Sequence, residues 1–262
     1  MTTQAPLDGQ DMAEAVEPTA GPPASTDPIA ARHRQQRAAA TTAGILYLTG
    51  TAAGVLSGLV TLPVNDASDS LASASTHQVA VVTGALLVLL MGLSLAFVPV
   101  VLLPILRPVD EALAVGYLVI RGAVETTCYV LLAVGWLLLV PLDGAVPASA
   151  ATRNQLGDIL INGDATNAVL ALVFCLGAAL FYTLLYRSGI VPRWIALWGL
   201  LSIPVYLLGA LLAMYGVVET NSTTQTLLFA PMFGQELVLA AWMIARGFRP
   251  VARAVRRADR RP

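Results

Sequence analysis

Six long apolar runs constrain this chain more than any other feature. They lie at Ala38–Leu62, Val79–Leu106, Ala112–Val140, Ala165–Tyr186, Trp194–Tyr215 and Leu227–Ala245. Crossing a bilayer as a helix takes roughly 20 residues, and each run is near or above that length. A helix satisfies its own backbone in lipid without a partner, so the runs predict an all-α polytopic membrane protein with six transmembrane helices. Composition agrees: 56% of residues are hydrophobic, 12% are charged, and mean hydropathy is +0.72. Soluble domains carry about 25% charged residues. Pro63 is expected to stop the first helix. Pro99 and Pro104 are expected to bend the second, and Pro204 the fifth.

Orientation follows from arginine, the only basic residue besides histidine in the sequence. Arg32, Arg34 and Arg37 precede the first run, Arg107 follows the second, and Arg187 and Arg193 separate the fourth and fifth. Seven more follow the sixth: Arg246, Arg249, Arg253, Arg256, Arg257, Arg260 and Arg261. The opposite loops hold Arg153 alone, among Asp66, Asp69, Asp143, Asp158, Asp164 and Glu219. The positive-inside rule then places both termini in the cytoplasm, with residues 65–76 and 141–164 outside. Arginine-only, alanine-rich usage points to a GC-rich bacterial genome, hence a bacterial cytoplasmic (inner) membrane.

Three regions result. Residues 1–37 are expected to form a disordered, Pro-rich acidic tail ending in a basic cluster. Residues 38–246 form the membrane domain. Residues 247–262 form an Arg-rich tail suited to anionic lipid headgroups, with a short helix expected after Pro250. In the outer loop, Leu156, Ile159 and Leu160 share one helical face and suggest a short interfacial helix. Gly50, Gly54 and Gly58 give two overlapping G-x-x-x-G steps, which permit close packing against an internal neighbour or a second protomer in a homo-oligomer.

The chemical inventory is poor. His33 and His77 are the only histidines, and Cys128 and Cys175 the only cysteines. No histidine pair suits haem and no cluster suits a metal. There is no C-x-x-C, no P-loop and no G-x-S-x-G. Catalysis has little support, and no cofactor, metal site or nucleic-acid partner is expected.

What remains is ionic. Arg121 and Glu125 stand one turn apart in the third run, and Glu236 stands at the middle of the sixth. Counting 1.5 Å per residue puts Glu125 and Glu236 at the same depth. Tyr117 and Cys128 share the Arg121–Glu125 stripe, and Met232 shares the Glu236 face. Charges inside a membrane cost at least about 2.5–3.5 kcal/mol each on insertion scales, so three at one depth are expected to meet. Two readings are open. One is a structural lock between the third and sixth helices in a scaffold or partner-binding subunit. The other is a small-molecule or proton-linked site.

The chain resembles the bacterial membrane proteins catalogued as domain of unknown function 4386, over roughly residues 38–248. The resemblance is carried by Ala43-Gly-Ile-Leu-Tyr-Leu, Leu106-Arg-Pro, Arg121 with Glu125, Leu185-Tyr-Arg-Ser-Gly-Ile-Val-Pro-Arg-Trp194 with Trp198-Gly199, and Gln235-Glu236-Leu through Arg246-Gly-Phe. It implies a six- or seven-helix integral membrane protein and supplies no activity. Within the longest of these segments, Gly189 and Pro192 predict a tight reversal. Arg187, Arg193 and Trp194 are its expected headgroup anchors.

Overall fold

A computed structural model describes residues 28–65, 67, 70–145, 152, 155–157, 160, 164–219 and 222–249. The first crossing is α1 (Pro28–Asn65), followed by a short α2 (Ser70–Thr76) and the second crossing α3 (Gln78–Leu106). The third crossing is compound: α4 (Glu111–Val119), a π-helical turn (Ile120–Glu125) and α5 (Thr126–Ala145). The last three are α6 (Asp164–Ser188), α7 (Arg193–Met214) and α8 (Thr223–Ala245). Among the described residues, six helices are thus long and apolar enough to cross a membrane.

Their packing order is a ring. α1 lies on α3, α3 on α5, α4 and the π turn on α6, α6 on α7, α7 on α8, and α8 closes back on α1. All six crossings therefore present one face to a common centre. Lipid-facing positions remain apolar and exposed, such as Leu59, Leu93, Leu131 and Leu201. The closing contact is tight near the arginine-rich end. A Cβ on Gly44 of α1 would stand 2.9 Å from the Ala240 carbonyl oxygen of α8 and 2.7 Å from Ile244. Close approach of this kind is what small residues provide between membrane helices.

Three boundaries differ from expectation. α1 begins at Pro28, ten residues before the apolar run, where proline suits a first helical turn. It also passes Pro63 and ends at Asn65, because one lost backbone donor near a helix end is tolerated. α5 likewise passes Pro141 to reach Ala145. In the G-x-x-x-G stretch, a Cβ on Gly50 would meet the Leu95 side chain at 2.9 Å and the Met91 carbonyl oxygen of α3 at 3.5 Å, Gly54 admits the Met91 side chain, and Gly58 faces open space. In the long loop between α5 and α6 the described residues 152, 155–157 and 160 are helical, and Leu160 packs on the core. The segments 1–27 and 250–262 lie outside the described residues, as does the helix expected after Pro250.

The arginine-bearing turns gather at one end. Arg187 pairs with Asp110 at 2.8 Å, and Arg107 pairs with Glu111. Gly189 turns the chain at a φ of 65°, a conformation glycine adopts without a Cβ clash. Arg193 lies over the Tyr186 ring, and Trp194 stacks on Trp198. Arg37 donates to the Ile244 and Ala245 carbonyl oxygens at 3.0 and 3.1 Å, capping the C-terminus of α8. The backbone N–H of Arg249 donates to Ile190 at 2.9 Å, tying the C-terminal segment to the α6–α7 turn.

Candidate functional site at the centre of the ring

Arg121 and Glu125 both sit in the π turn, and the local geometry explains why. Along the third crossing the buried residues include Tyr117, Arg121, Glu125, Tyr129 and Ala133. In a regular α-helix each i,i+4 step overshoots a full turn by about 40°, so four such steps drift about 160° and leave the core. One extra residue held in a π turn takes back about 100° and keeps the stripe facing inward. The displaced Arg121 carbonyl accepts from Thr126 Oγ1 at 3.2 Å, five residues on. Thr127 Oγ1 donates to Ala123 O at 2.8 Å. This polar pair meets carbonyls that the altered register loosens.

Arg121 is 2% exposed and Glu125 0%. Arg121 Nη1 lies 3.1 Å from Glu125 Oε1 and donates to Oε2 at 3.2 Å. Tyr129 donates its hydroxyl proton to Oε1 at 3.3 Å. The guanidinium lies over the Tyr47 ring of α1 and over the Phe174 ring of α6, at 5.5 and 5.2 Å from their centroids. Aromatic faces attract cations, so these rings partly replace lost hydration.

Glu236 meets this pair from α8, but loosely. Its Oε1 stands 3.8 Å from Arg121 Nη2, beyond hydrogen-bond length, with the Glu236 side chain 15% exposed. Nη2, Arg121 Nε and Glu236 Oε1 are buried without hydrogen-bond partners. The firm polar tie of α8 is its neighbour Gln235. Gln235 accepts from the Tyr182 hydroxyl of α6 at 2.6 Å and donates to Ile195 O of α7 at 3.1 Å. The ring of Tyr182 lies so close to Gly199 of α7 that a Cβ there would meet it at 2.7 Å.

The gap between Arg121 and Glu236 borders a chamber of about 270 Å3. Every crossing contributes to its wall: Thr51 from α1, Leu95 from α3, Arg121, Phe174 from α6, Tyr206 from α7, and Glu236 from α8. Val55 of α1 and Phe233 of α8 also line it and are 48% and 45% exposed, so its rim reaches the lipid-facing surface at the α1–α8 seam. A second cavity of about 170 Å3 adjoins it toward the end away from the arginine turns, bordered by Asn167 and Gln225. Tyr206 and Phe229 belong to both walls and stack with centroids 3.9 Å apart.

Sequence reasoning reached Arg121, Glu125, Glu236 and Met232; Arg121, Glu236 and Met232 line the chamber, and Glu125 lies behind Arg121, paired with it. Tyr117 is buried but stacks on Phe181 at 4.7 Å, and Cys128 is buried without lining the chamber. Arg187 is paired with Asp110, and Arg193 and Trp194 stack on aromatic rings, at the turn where they were expected to anchor. Tyr47, Tyr129, Phe174 and Tyr206 were missed. The repeated four-residue spacing of Tyr117, Arg121, Glu125 and Tyr129 was the available signal for one of them. Among the described residues, no group of histidine, cysteine, aspartate and glutamate is arranged to hold a metal.

Comparison with curated proteins and with solved structures gives no match. A family model described as domain of unknown function (DUF4386) matches residues 42–247, most of the chain, from within the first crossing through the sixth, and the protein belongs to that family.

Proposed function

We propose that this protein binds a small molecule in its central chamber, as a transport or binding module of a bacterial cytoplasmic membrane with both termini on the cytoplasmic side. One observation carries the reading: Arg121 and Glu236 stand in the wall of a chamber of about 270 Å3 and leave facing donor and acceptor atoms unpartnered. Ionisable groups inside a membrane mark ligand or ion pathways by default, and unmet polar atoms at a cavity are the usual means of orienting a ligand. A purely structural lock is favoured less. Helix 8 is already tied by Gln235, and the Arg121–Glu236 contact is too long for a hydrogen bond. The adjoining cavity behind the Tyr206–Phe229 stack supports passage toward the outer face.

The test is occupancy. Protein purified from its own membranes is extracted and its bound small molecules identified by mass spectrometry, beside a Thr51→Trp variant that fills the chamber. Wild type is expected to carry a molecule that the variant lacks while both remain folded. A variant that is more stable than wild type, with identical extracts, would mark the chamber as a dry packing defect and end the proposal.

A further inference from the structure

Two atoms define what the chamber can hold. Arg121 Nη2 is a donor and Glu236 Oε1 an acceptor, 3.8 Å apart, both buried and neither hydrogen-bonded. Leaving such groups unmet in an apolar setting is costly, so an occupant that satisfies both gains from each. A single oxygen set on the chamber side of the line joining them, about 2.8 Å from each, lies within hydrogen-bond distance of both. It must accept from the guanidinium and donate to the carboxylate, which describes a hydroxyl group.

Charged ligands fit worse. An ammonium would face the fixed guanidinium and leave Nη2 without an acceptor. A carboxylate would face Glu236 and Glu125, in a cluster where two glutamates already outnumber one arginine. A lone water meets both atoms, yet it takes about 30 Å3. The rest of the wall is mainly apolar, with Leu95, Met91, Phe174, Phe229 and Met232 beside the hydroxyl-bearing Thr51, Tyr129 and Tyr206. Cavity size sets the scale: about 150 Å3 holds a benzene ring, so about 270 Å3 admits a ring with short alkyl substituents.

We infer that the ligand class is a small, neutral, mainly apolar alcohol or phenol, held with its hydroxyl bridging Arg121 Nη2 and Glu236 Oε1 and entering from the bilayer at the Val55–Phe233 seam. This rests on the reading of the chamber as a binding site and names what that site selects. The apolar body packs against Phe174, Phe229 and Met232, while the hydroxyl gives orientation. Partition into lipid concentrates such molecules at the seam.

Calorimetric titration of the full chain in nanodiscs, with empty nanodiscs as the lipid control, tests it with four probes on one skeleton. These are para-cymene, para-isopropylbenzyl alcohol, para-isopropylbenzylamine and para-isopropylbenzoate. The alcohol is expected to bind about tenfold tighter than para-cymene, as a hydrogen bond to a charged group allows. Glu236→Leu should weaken the alcohol to the level of para-cymene and leave para-cymene unchanged. Thr51→Trp should abolish both. If the amine or the carboxylate binds tightest, or alcohol and hydrocarbon bind equally to wild type, the ligand class is wrong. The chamber reading then survives so long as Thr51→Trp still blocks binding. If no probe binds, or Thr51→Trp changes nothing, both are overturned. Should Glu236→Leu fail to fold, the ranking of the four probes on wild type decides alone.

Discussion

Removing the arginine and removing the distant glutamate are expected to have very different effects on stability. Arg121→Ala takes both guanidinium contacts from Glu125, which is fully buried and keeps only the 3.3 Å hydrogen bond from Tyr129. Stranding one partner of a buried pair costs about 3–5 kcal/mol. For a protein of this size each kcal/mol moves the melting midpoint by roughly 2–4 °C, so the expected loss is on the order of 10 °C. Glu236→Gln removes a contact of 3.8 Å that is no hydrogen bond, from a side chain that is 15% exposed, and keeps an acceptor in place. Its cost is expected to stay below about 1 kcal/mol. Thermal unfolding of the purified proteins in one detergent, with the yield of monodisperse protein as a second readout, measures both. Equal melting of Arg121→Ala and wild type would refute the account of Glu125. A Glu236→Gln loss as large as that of Arg121→Ala would restore the inter-helix lock that the distances disfavour.

Two further outcomes are expected. In a double-mutant cycle, Tyr182→Phe and Gln235→Leu should each destabilise by about 1–3 kcal/mol and show a coupling of the same sign, because the 2.6 Å hydrogen bond is shared; additive effects would deny that it ties α6 to α8. In a background lacking Cys128 and Cys175, an impermeant thiol reagent applied to intact cells should label a cysteine at Ser68 and spare one at Ala258, and the reverse pattern would invert the topology.

Much of this fold was legible, and the parts that were not have physical causes. The six crossings followed from run length and apolarity, since lipid leaves a long apolar segment few alternatives to helix. The meeting of Glu236 with the Arg121 pair followed from depth alone, because 1.5 Å per residue fixes height in a crossing helix. Rotation about the helix axis was less accessible. The periodic stripe led from Glu125 to Cys128, whereas the π turn delivers Tyr129 to the glutamate. The partners contributed by other helices, Tyr47, Phe174 and Tyr206, depend on ring closure, which no local pattern encodes. Gly44 was overlooked because a small residue matters only where a neighbour arrives.

The π turn also bears on why the chamber exists. A regular helix could bury Arg121 and Glu125 together, but the stripe would then leave the centre before Tyr129 and Ala133. The extra residue keeps all of them inward, so the third crossing presents bulky polar and aromatic groups to the ring axis over several turns. Tyr47 and Phe174 both place their rings under the guanidinium, and Glu125 takes its Nη1. Nη2 and Nε are left without hydrogen-bond partners. α8 cannot advance to close the gap. Gln235 fixes it to α6 and α7, and the Gly44–Ala240 contact fixes it to α1. The 3.8 Å separation of Arg121 and Glu236 is therefore set by packing elsewhere in the ring, which leaves a donor and an acceptor side by side and unbonded at the chamber wall.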